Sequence, residues 1–233
     1  MLNSYPGTKA IVENPKSIFY LLNQDEKEKL ERHLSLSNYR KNEFVFKEGD
    51  KPTGLLFLID GKVKIYKEGV AGREQIVRMT KPLGMIGYRS LLAEEYHISS
   101  AITLEESVIC AVDPDFIFNH ALKNKDFSHK IIQKLAKELG FANARTVSLT
   151  QKHIRGRLAE SLILLKNKYG YESDGITLKA NLSREDIANL SNMTTSNAIR
   201  TLSTFANENV IAIDGRKIKI LDDMRLERVS KLG

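Results

Sequence analysis

The 233-residue chain has no tryptophan, a single cysteine (Cys110) and no apolar run long enough to cross a membrane. One cysteine cannot form an intramolecular disulfide, and it cannot complete a multi-cysteine zinc site or a thiolate-ligated iron–sulfur cluster. A membrane helix needs about 18 consecutive apolar residues, and residues 1–16 lack the apolar core of a signal peptide. These absences predict a cytoplasmic protein without a membrane partner.

Signatures of common enzymes are also missing, since the sequence contains no G-x-x-x-x-G-K, G-x-S-x-G or H-E-x-x-H. The five histidines lack the paired spacing that is typical of metal ligands. Cys110 lies within the apolar run 108–112, which predicts a buried, unreactive thiol. We therefore predict no catalytic residue, no metal site and no enzyme activity, and the identity of any cofactor stays open.

Positive charge is in excess, with a net charge of +7 and an isoelectric point near 9.3. The excess is +3 through Thr150 and +4 over the much shorter remainder, so it is denser toward the C-terminus. A basic balance favours a polyanionic partner, although basic solvated surfaces also occur on proteins that bind none.

The first half of the chain has the texture of antiparallel β structure, because seven of the 14 glycines fall between Gly49 and Gly87 among short apolar runs. The runs of strand length are 44–46, 55–59, 63–66, 76–79 and 108–112. Asp60-Gly61 predicts a tight hairpin turn, and Asp113-Pro114 closes the region. We predict a β roll of jelly-roll type, preceded by short helices at 18–22 and 26–34.

Residues 126–150 predict one long helix with an apolar stripe. The stripe consists of Ile132, Leu135, Leu139, Ala142, Thr146 and Leu149. Small residues at Gly140 and Ala144 would let a second helix approach, which favours a dimerisation helix between two domains. Fewer than three heptads are present, so a helix packed on its own β domain is the alternative. The predicted domains are residues 1–125, 126–150 and 151–233.

Two short helices and a tight turn are predicted near the C-terminus. Ser183 with Asp186 forms a capping box that opens the first helix, residues 191–193 form a turn, and Thr194 can cap the second helix. Its predicted apolar face contains Ala198, Ile199, Leu202, Phe205 and Ala206. A strand at 176–178 and a hairpin at 210–220 complete the pattern, which resembles a helix-turn-helix.

The opposite face of the second helix is polar. At about 100° per residue it presents Ser196, Arg200, Ser203, Thr204 and Asn207. Such a face suits the major groove of double-stranded DNA, because arginine pairs with guanine and asparagine with adenine. The candidate DNA-binding residues are Thr194, Thr195, Ser196, Asn197, Arg200 and Ser203. The alternative is a solvated face without a partner, but few acidic residues lie on it.

Over nearly its whole length the chain resembles the Crp/Fnr transcription regulators. The matching segments are Ile154-Arg155-Gly156-Arg157-Leu158-Ala159, Leu182-Ser183-Arg184-Glu185-Asp186-Ile187-Ala188 and Thr194 to Leu202. The resemblance implies an α+β fold with a cyclic-nucleotide-binding-like β roll, a dimer helix and a winged helix-turn-helix. It also implies a homodimer that contacts RNA polymerase. Arg200 matches the family's base-reading arginine, whereas Ser196 stands where a glutamate is usual and Thr195 where an arginine is frequent.

The β roll departs from the cyclic-AMP-binding members of that family. Their phosphate cassette has a Gly-Glu pair and an Arg-Ser/Thr-Ala run, and the equivalents here are Gly87-Tyr88 and His97-Ile98-Ser99. Only the glycine matches, so control by cyclic AMP is not expected. Another anionic small molecule could bind a pocket formed by Gly87, Tyr88, Arg89, His97, Ser99 and Asn143. The alternative role for Arg89 is a structural or solvent-facing ion pair.

A competing hypothesis is a small-molecule-binding or cupin-like catalytic β roll whose C-terminal motif serves oligomerisation. An oligomerising helix should expose apolar side chains where this sequence places Ser196, Arg200, Ser203 and Asn207. The polar face therefore favours a DNA-binding regulator.

Overall fold

A computed structural model describes residues 11–232 of the chain, so the first ten residues of the predicted first domain lie outside the described residues. The chain forms two compact units. The first contains the described residues up to Lys67 together with Val77–Leu139, and the second contains Glu68–Ile76 and the described residues from Gly140 onward. The predicted three-part domain division stays a prediction.

The β region contains two four-stranded sheets with helices at both ends of its sequence. Its elements in chain order are a 3-10 helix Ile18–Leu21, α1 Gln24–Glu31, β1 Leu34–Tyr39, β2 Phe44–Phe46, β3 Leu55–Asp60, β4 Val63–Glu68, a 3-10 helix Val70–Gly72, β5 Glu74–Thr80, β6 Met85–Ile86, α2 Tyr88–Leu92, β7 Ser100–Thr103, β8 Ser107–Val112, α3 Pro114–Asn119 and a 3-10 helix Ala121–Lys123. One sheet has the order β1-β8-β3-β6 and the other β2-β7-β4-β5.

Strand β3 is packed on both of its faces. Its residues Leu55, Leu56, Phe57 and Leu58 are all buried, and successive side chains of a strand point to opposite faces. Leu55 and Phe57 pack in a cluster with helical residues such as Phe116, whereas Leu56 and Leu58 pack in a second cluster with residues of the other sheet. The continuous apolar run thus belongs to a strand covered on both faces.

Two details of the β prediction are wrong. Gly61 has the left-handed φ of +94° that a tight turn requires, but β3 and β4 belong to different sheets, so Asp60-Gly61 is a crossover and not a hairpin. The helix predicted for 26–34 ends at Glu31, and Leu34 already pairs with Val112 at the start of β1. The predicted strands are confirmed, and Asp113 caps helix α3 with Pro114 in its first turn.

Helix α4, Lys125–Gln151, is 27 residues long and confirms the predicted helix within one residue at either end. Asn124 Oδ1 accepts hydrogen bonds from the backbone N–H groups of residues 126 and 127. Leu135 packs against the core of the first unit, as the alternative of an internally packed helix requires. In contrast, Ile132 is 63% exposed and Leu139 is 64% exposed, so residues 11–232 leave part of the stripe uncovered.

The second unit is built from helices and one hairpin. Its further elements are α5 Ile154–Tyr169, α6 Arg184–Ser191, α7 Thr195–Asn207, β9 Ile211–Asp214, β10 Lys217–Ile220 and α8 Asp223–Leu232. The buried residues of these helices include Leu162 on α5, Ala188 on α6, and Leu202 and Phe205 on α7. The strand predicted at 176–178 is only a pair of isolated bridges, from Thr177 to Lys219 and from Leu178 to Tyr171.

Cys110 is fully buried in β8, and burial raises the pKa of its thiol to about 12. The thiol is therefore protonated near neutral pH, as the prediction of an unreactive cysteine requires. Within residues 11–232 no helix combines the length and apolarity needed to cross a membrane. The same residues contain no group of three or more histidine, cysteine or acidic side chains that could hold a metal ion.

Candidate nucleic-acid interface

The helix pair α6–α7 is defined by its local caps. Ser183 Oγ accepts a hydrogen bond from the backbone N–H of Asp186 at 2.9 Å, and Asp186 Oδ2 accepts one from the backbone N–H of Ser183 at 3.3 Å. Asn192 ends α6 in the left-handed conformation, with φ of 51°, which asparagine tolerates well. Thr194 Oγ1 then accepts from the backbone N–H of Asn197. These contacts confirm the predicted helix, turn and second helix.

The buried face of α7 differs from the predicted one at two positions. Ala198, Leu202 and Phe205 are buried as expected, but Ile199 is exposed and Thr201 is buried. Since each residue advances about 100° around a helix, Ile199 lies at the edge of the buried arc and Thr201 lies within it. One apolar side chain therefore borders the polar face.

The outward face of α7 carries the predicted polar residues. Thr195, Ser196, Arg200 and Ser203 are exposed there, and Asn197 is half-buried. Ser203 Oγ donates to the backbone C=O of Ile199 at 3.0 Å, which leaves its oxygen lone pairs available to a partner. Thr194, also exposed, uses its hydroxyl oxygen as the helix cap.

Arg200 has the chemistry of a base reader. Its guanidinium has five donors in a planar fork, and it has no hydrogen bond or ion pair with any other residue in the part of the chain that the structure describes. The N-terminal turn, with Thr195 and Ser196, carries the positive end of the helix dipole, which favours nearby phosphate.

The hairpin β9–β10, which we term the wing, lies next to this helix pair in the chain. Asp214 pairs with Lys217 across its turn, and Gly215 has φ of +55°. Arg184 Nη2 donates to the backbone C=O of Gly215 at 2.6 Å, which connects the wing tip to the start of α6. Arg216 and Lys217 are exposed on the wing. Nothing in the sequence indicated this role of Arg184.

The C-terminal end of α7 is held by two arginines. Arg155 makes a two-pronged ion pair with the Glu208 carboxylate, and this pairing lowers the pKa of Glu208. Arg225 Nη1 on α8 donates to the backbone C=O of Glu208 at 2.9 Å. The helix is thereby fixed at the end opposite to its cap.

In the first unit, the cassette glycine lies against a pair of rings. Gly87 has φ of +68°, and a Cβ there would lie 2.8 Å from His97 Cε1 and 3.0 Å from Phe46 Cε1. His97 is only 5% exposed and stacks on Phe46 with centroids 3.6 Å apart. Burial lowers the pKa of His97, so its imidazole is neutral near pH 7. The sequence did not indicate Phe46, which lies 51 residues before His97.

Tyr88 is also engaged by neighbours that the sequence did not indicate. Its side chain is buried, and its hydroxyl accepts a hydrogen bond from Arg78 Nη1 at 2.7 Å. Arg78 Nη2 donates to Glu138 Oε2 on α4 at 2.5 Å. The Lys134 ammonium lies 5.5 Å from the centre of the Tyr88 ring, and burial lowers its pKa. Arg78, in the middle of an apolar strand, was the one visible signal of this cluster.

The remaining predicted pocket residues, Arg89, Ser99 and Asn143, have surroundings of their own. Arg89 pairs with Glu95 at 2.9 Å, and both side chains are exposed, as the alternative of a solvent-facing ion pair requires. Ser99 is half-buried, and Asn143 is exposed on the part of α4 that belongs to the second unit. A cavity of about 560 Å³ between Lys51, Ser90, Tyr96 and Phe118 is lined by none of the six predicted residues. The effector pocket stays a prediction.

Comparison with known proteins gives the same two-part organisation. Residues 36–124 match the cyclic nucleotide-binding domain, and residues 156–229 match the Crp-like helix-turn-helix domain.

Whole-chain relatives are transcription regulators by name. A CRP-like cAMP-activated global transcriptional regulator of Mycobacterium tuberculosis is 28% identical over 85% of this chain and 89% of its own length. An anaerobic regulatory protein of Aggregatibacter actinomycetemcomitans is 24% identical over 86% of this chain and 79% of its own. The structure of FixK2 from Bradyrhizobium japonicum shares the fold with a TM-score of 0.76, at 22% identity over 84% of this chain and 96% of that chain.

A β roll, a long helix and a winged helix-turn-helix with an outward polar face together define a DNA-binding transcription regulator. Both domain matches and the whole-chain relatives agree with that class. The chain belongs to the Crp/Fnr family.

Proposed function

We propose that this regulator binds an inverted-repeat DNA site as a homodimer, with α7 of each copy in a major groove. The outward face of α7 carries this proposal, because Ser196, Arg200 and Ser203 are exposed on it. Arg200 is proposed to pair with the O6 and N7 atoms of a guanine, and Ser196 to contact a neighbouring base. Thr194, Thr195, Asn197 and Ser203 support these contacts through phosphate or base edges.

The exposed stripe of α4 supports the dimer. Ile132 and Leu139 of this stripe are exposed, and Val147 is exposed beside it, whereas the exposed Phe141 lies on the opposite side of the helix. Pairing of α4 with the same helix of a second copy would remove apolar surface from water in a self-complementary interface. The two copies of α7 would then face two half-sites of the same sequence.

The region around Gly87 supports the proposal that cyclic AMP is not the effector. The Mycobacterium tuberculosis relative is named as cAMP-activated, but in this chain a neutral His97 stacked on Phe46 lies against the cassette glycine. The Tyr88 hydroxyl already has Arg78 as its donor. Neither group offers a phosphate clamp or a ribose carboxylate.

Two further parts of the proposal follow from family membership. RNA polymerase is proposed as the protein partner, and the cytoplasm as the compartment in which the regulator meets its DNA. The competing hypothesis is a catalytic roll with an oligomerising C-terminal motif. It has little support, because an oligomerising helix should expose several apolar side chains. Among the described residues of α7, Ile199 is the single large apolar side chain that is exposed, beside Ser196, Arg200 and Ser203.

Selection of bound duplexes from a random pool tests the proposal. We expect an inverted repeat with half-sites about 34 Å apart, or roughly one turn of DNA. Recovery of no repeat, or of half-sites at freely varying distances, would contradict a dimer with two fixed α7 helices.

A further inference from the structure

Arg145 is a buried cation on the C-terminal half of α4. Arg145 is only 9% exposed, and burial lowers the pKa of its guanidinium. Nη2 donates to the backbone C=O of Leu190 and approaches Ser161 Oγ at 3.5 Å. Nη1 is buried and has no hydrogen-bond partner in the part of the chain that the structure describes. Such a group is retained at a cost in desolvation.

The contact with Leu190 is a helix cap made by a distant residue. Leu190 lies in the last turn of α6, Arg184–Ser191, where carbonyl groups have no partner within the helix. A guanidinium at that end also interacts favourably with the negative end of the helix dipole. Arg145 therefore fixes the end of the first helix of the helix-turn-helix to α4.

The other polar contacts of this part of α4 reach a different helix. Ser148 on α4 and Lys152 just after it contact the Glu160 carboxylate, and Arg157 Nη1 donates to the backbone C=O of Leu149 at 3.1 Å. Glu160 and Arg157 both lie on α5, as does Ser161. Hence these contacts orient α5 on α4, whereas Arg145 also reaches α6 through its contact with Leu190.

A shift of α6 carries α7 with it, because the two helices are joined by the short turn at Asn192 and share a buried core that includes Ala188 and Leu202. In a dimer formed through α4, the position of each α7 relative to the twofold axis then depends on how α6 sits on α4. Adding one base pair moves a half-site by about 3.4 Å and rotates it about the DNA axis, far beyond the tolerance of a hydrogen bond.

We propose that Arg145 is a positioning residue that sets the half-site spacing this regulator accepts. The proposal rests on the proposed function, since it needs DNA binding by a dimer paired through α4. Arg145 itself touches no base, and its effect is on discrimination between spacings and not on reading of a half-site.

The test compares Arg145→Met with the wild-type protein on duplexes that differ only in spacing. Methionine keeps an apolar side chain of similar length, a replacement that buried ionic positions often tolerate. The duplexes carry the selected inverted repeat with its own spacer, or with one base pair added or removed, and a single half-site beside scrambled sequence. Affinities by fluorescence anisotropy at one salt concentration give the spacer ratio and the half-site affinity, and thermal unfolding checks the fold.

We expect unchanged half-site affinity and a spacer ratio that falls by about threefold or more in Arg145→Met. The matched control is Lys137→Met, which makes the same replacement of a long cationic side chain at an exposed position of α4. Lys137 takes no part in the contact with Leu190, so the spacer ratio of this variant should equal that of the wild type.

Each outcome decides the proposal. A wild-type protein without a spacer preference contradicts the proposed dimer itself. A wild-type preference that Arg145→Met retains, or that Lys137→Met loses equally, overturns the role of Arg145. If Arg145→Met does not fold, Arg145→Lys replaces it, because lysine keeps the charge at Leu190 but lacks the fork that also reaches Ser161. Its ratio should fall below that of the wild type, and an unchanged ratio or an unfolded Arg145→Lys protein counts against the proposal.

Discussion

The polar side chains on the outward face of α7 and those around Gly87 differ in whether they have hydrogen-bond partners within the protein. On α7, the guanidinium of Arg200 is exposed and has no hydrogen bond or ion pair in the part of the chain that the structure describes, so its donors are open to another molecule. Around Gly87, Tyr88 is bonded to Arg78, and Arg78 in turn to Glu138. The donors on α7 are available to a partner molecule, whereas the polar groups around Gly87 already bond to one another.

The exposed stripe on α4 should give the largest effect. Leu139→Glu places a carboxylate where the proposed dimer buries apolar surface, and an unpaired buried charge costs several kcal/mol. We expect monomers by sedimentation and loss of binding to the inverted repeat. The control is Lys137→Glu, because Lys137 is exposed on the opposite side of α4 from Leu139. A dimeric Leu139→Glu protein, or a wild-type protein that is monomeric at micromolar concentration, would refute the assignment of the stripe.

On the α7 face, Arg200→Ala should weaken binding to the selected site by about 1 to 3 kcal/mol and relax the preference at one base position. Lys217→Ala, which removes an exposed charge on the wing, should weaken all duplexes alike. Because the exposed guanidinium of Arg200 makes no hydrogen bond or ion pair within the described residues, the free energy of unfolding should change by less than about 0.5 kcal/mol. Anisotropy titrations and urea unfolding measure both quantities, and unchanged base preference would exclude Arg200 as a reader.

Around Gly87 we expect the opposite result, with a substitution that lowers the free energy of unfolding. Glu138→Gln removes the carboxylate that Arg78 contacts and should lower the free energy of unfolding by about 1 to 2 kcal/mol. The control is Glu95→Gln, which breaks the exposed pair with Arg89 and should cost less than about 0.5 kcal/mol. Equal losses in the two variants by urea unfolding would show that the Arg78–Glu138 contact is no stronger than a surface pair.

His97 should add a small pH dependence to the stability of the first unit. Burial lowers the pKa of the folded imidazole below the value of about 6.5 in an unfolded chain, so the unfolded state binds more protons in the interval between the two values. The contribution of His97 to the free energy of unfolding is then fully present above pH 6.5, and it falls as the pH decreases through that interval. His97→Phe should reduce this fall, whereas the exposed His129→Phe should not. An identical pH profile in wild type and His97→Phe would contradict the burial of a neutral imidazole.

Cyclic nucleotides should give the smallest effect, because the cassette lacks both the phosphate clamp and the ribose carboxylate. Each such interaction contributes about 1.5 to 3 kcal/mol when desolvated. We expect no calorimetric heat, thermal shift or change in DNA affinity with cyclic AMP or cyclic GMP at concentrations of tens of micromolar, about those at which a micromolar site would fill. Tight binding of either nucleotide would show that the region around Gly87 opens.

The two regions also differ in how far the sequence predicts them. The caps at Ser183 and Thr194 act over three residues, and the buried face of α7 follows the helical period, so both could be derived locally. Ile199 was misplaced because a side chain at the edge of a stripe is decided by tertiary packing.

Around Gly87 the partners are far apart in the chain. Arg78 and Glu138 are separated by 60 residues. In the second unit, Arg145 likewise reaches Leu190 across 45 residues. No local pattern specifies such pairs, and the same holds for the crossover at Gly61, which looks like a hairpin until the sheet pairing is known. The resemblance to a family indicated which residues replace the cassette, but not what surrounds them.

The specificity ratio of DNA binding tests the central claim most directly. It is the affinity of the wild-type protein for its selected inverted repeat divided by its affinity for a scrambled duplex of the same length, measured at one salt concentration. The α7 face predicts a ratio of about a thousandfold or more, reduced roughly tenfold or more by Arg200→Ala. Equal affinities of the wild-type protein for both duplexes would contradict sequence-specific recognition through α7.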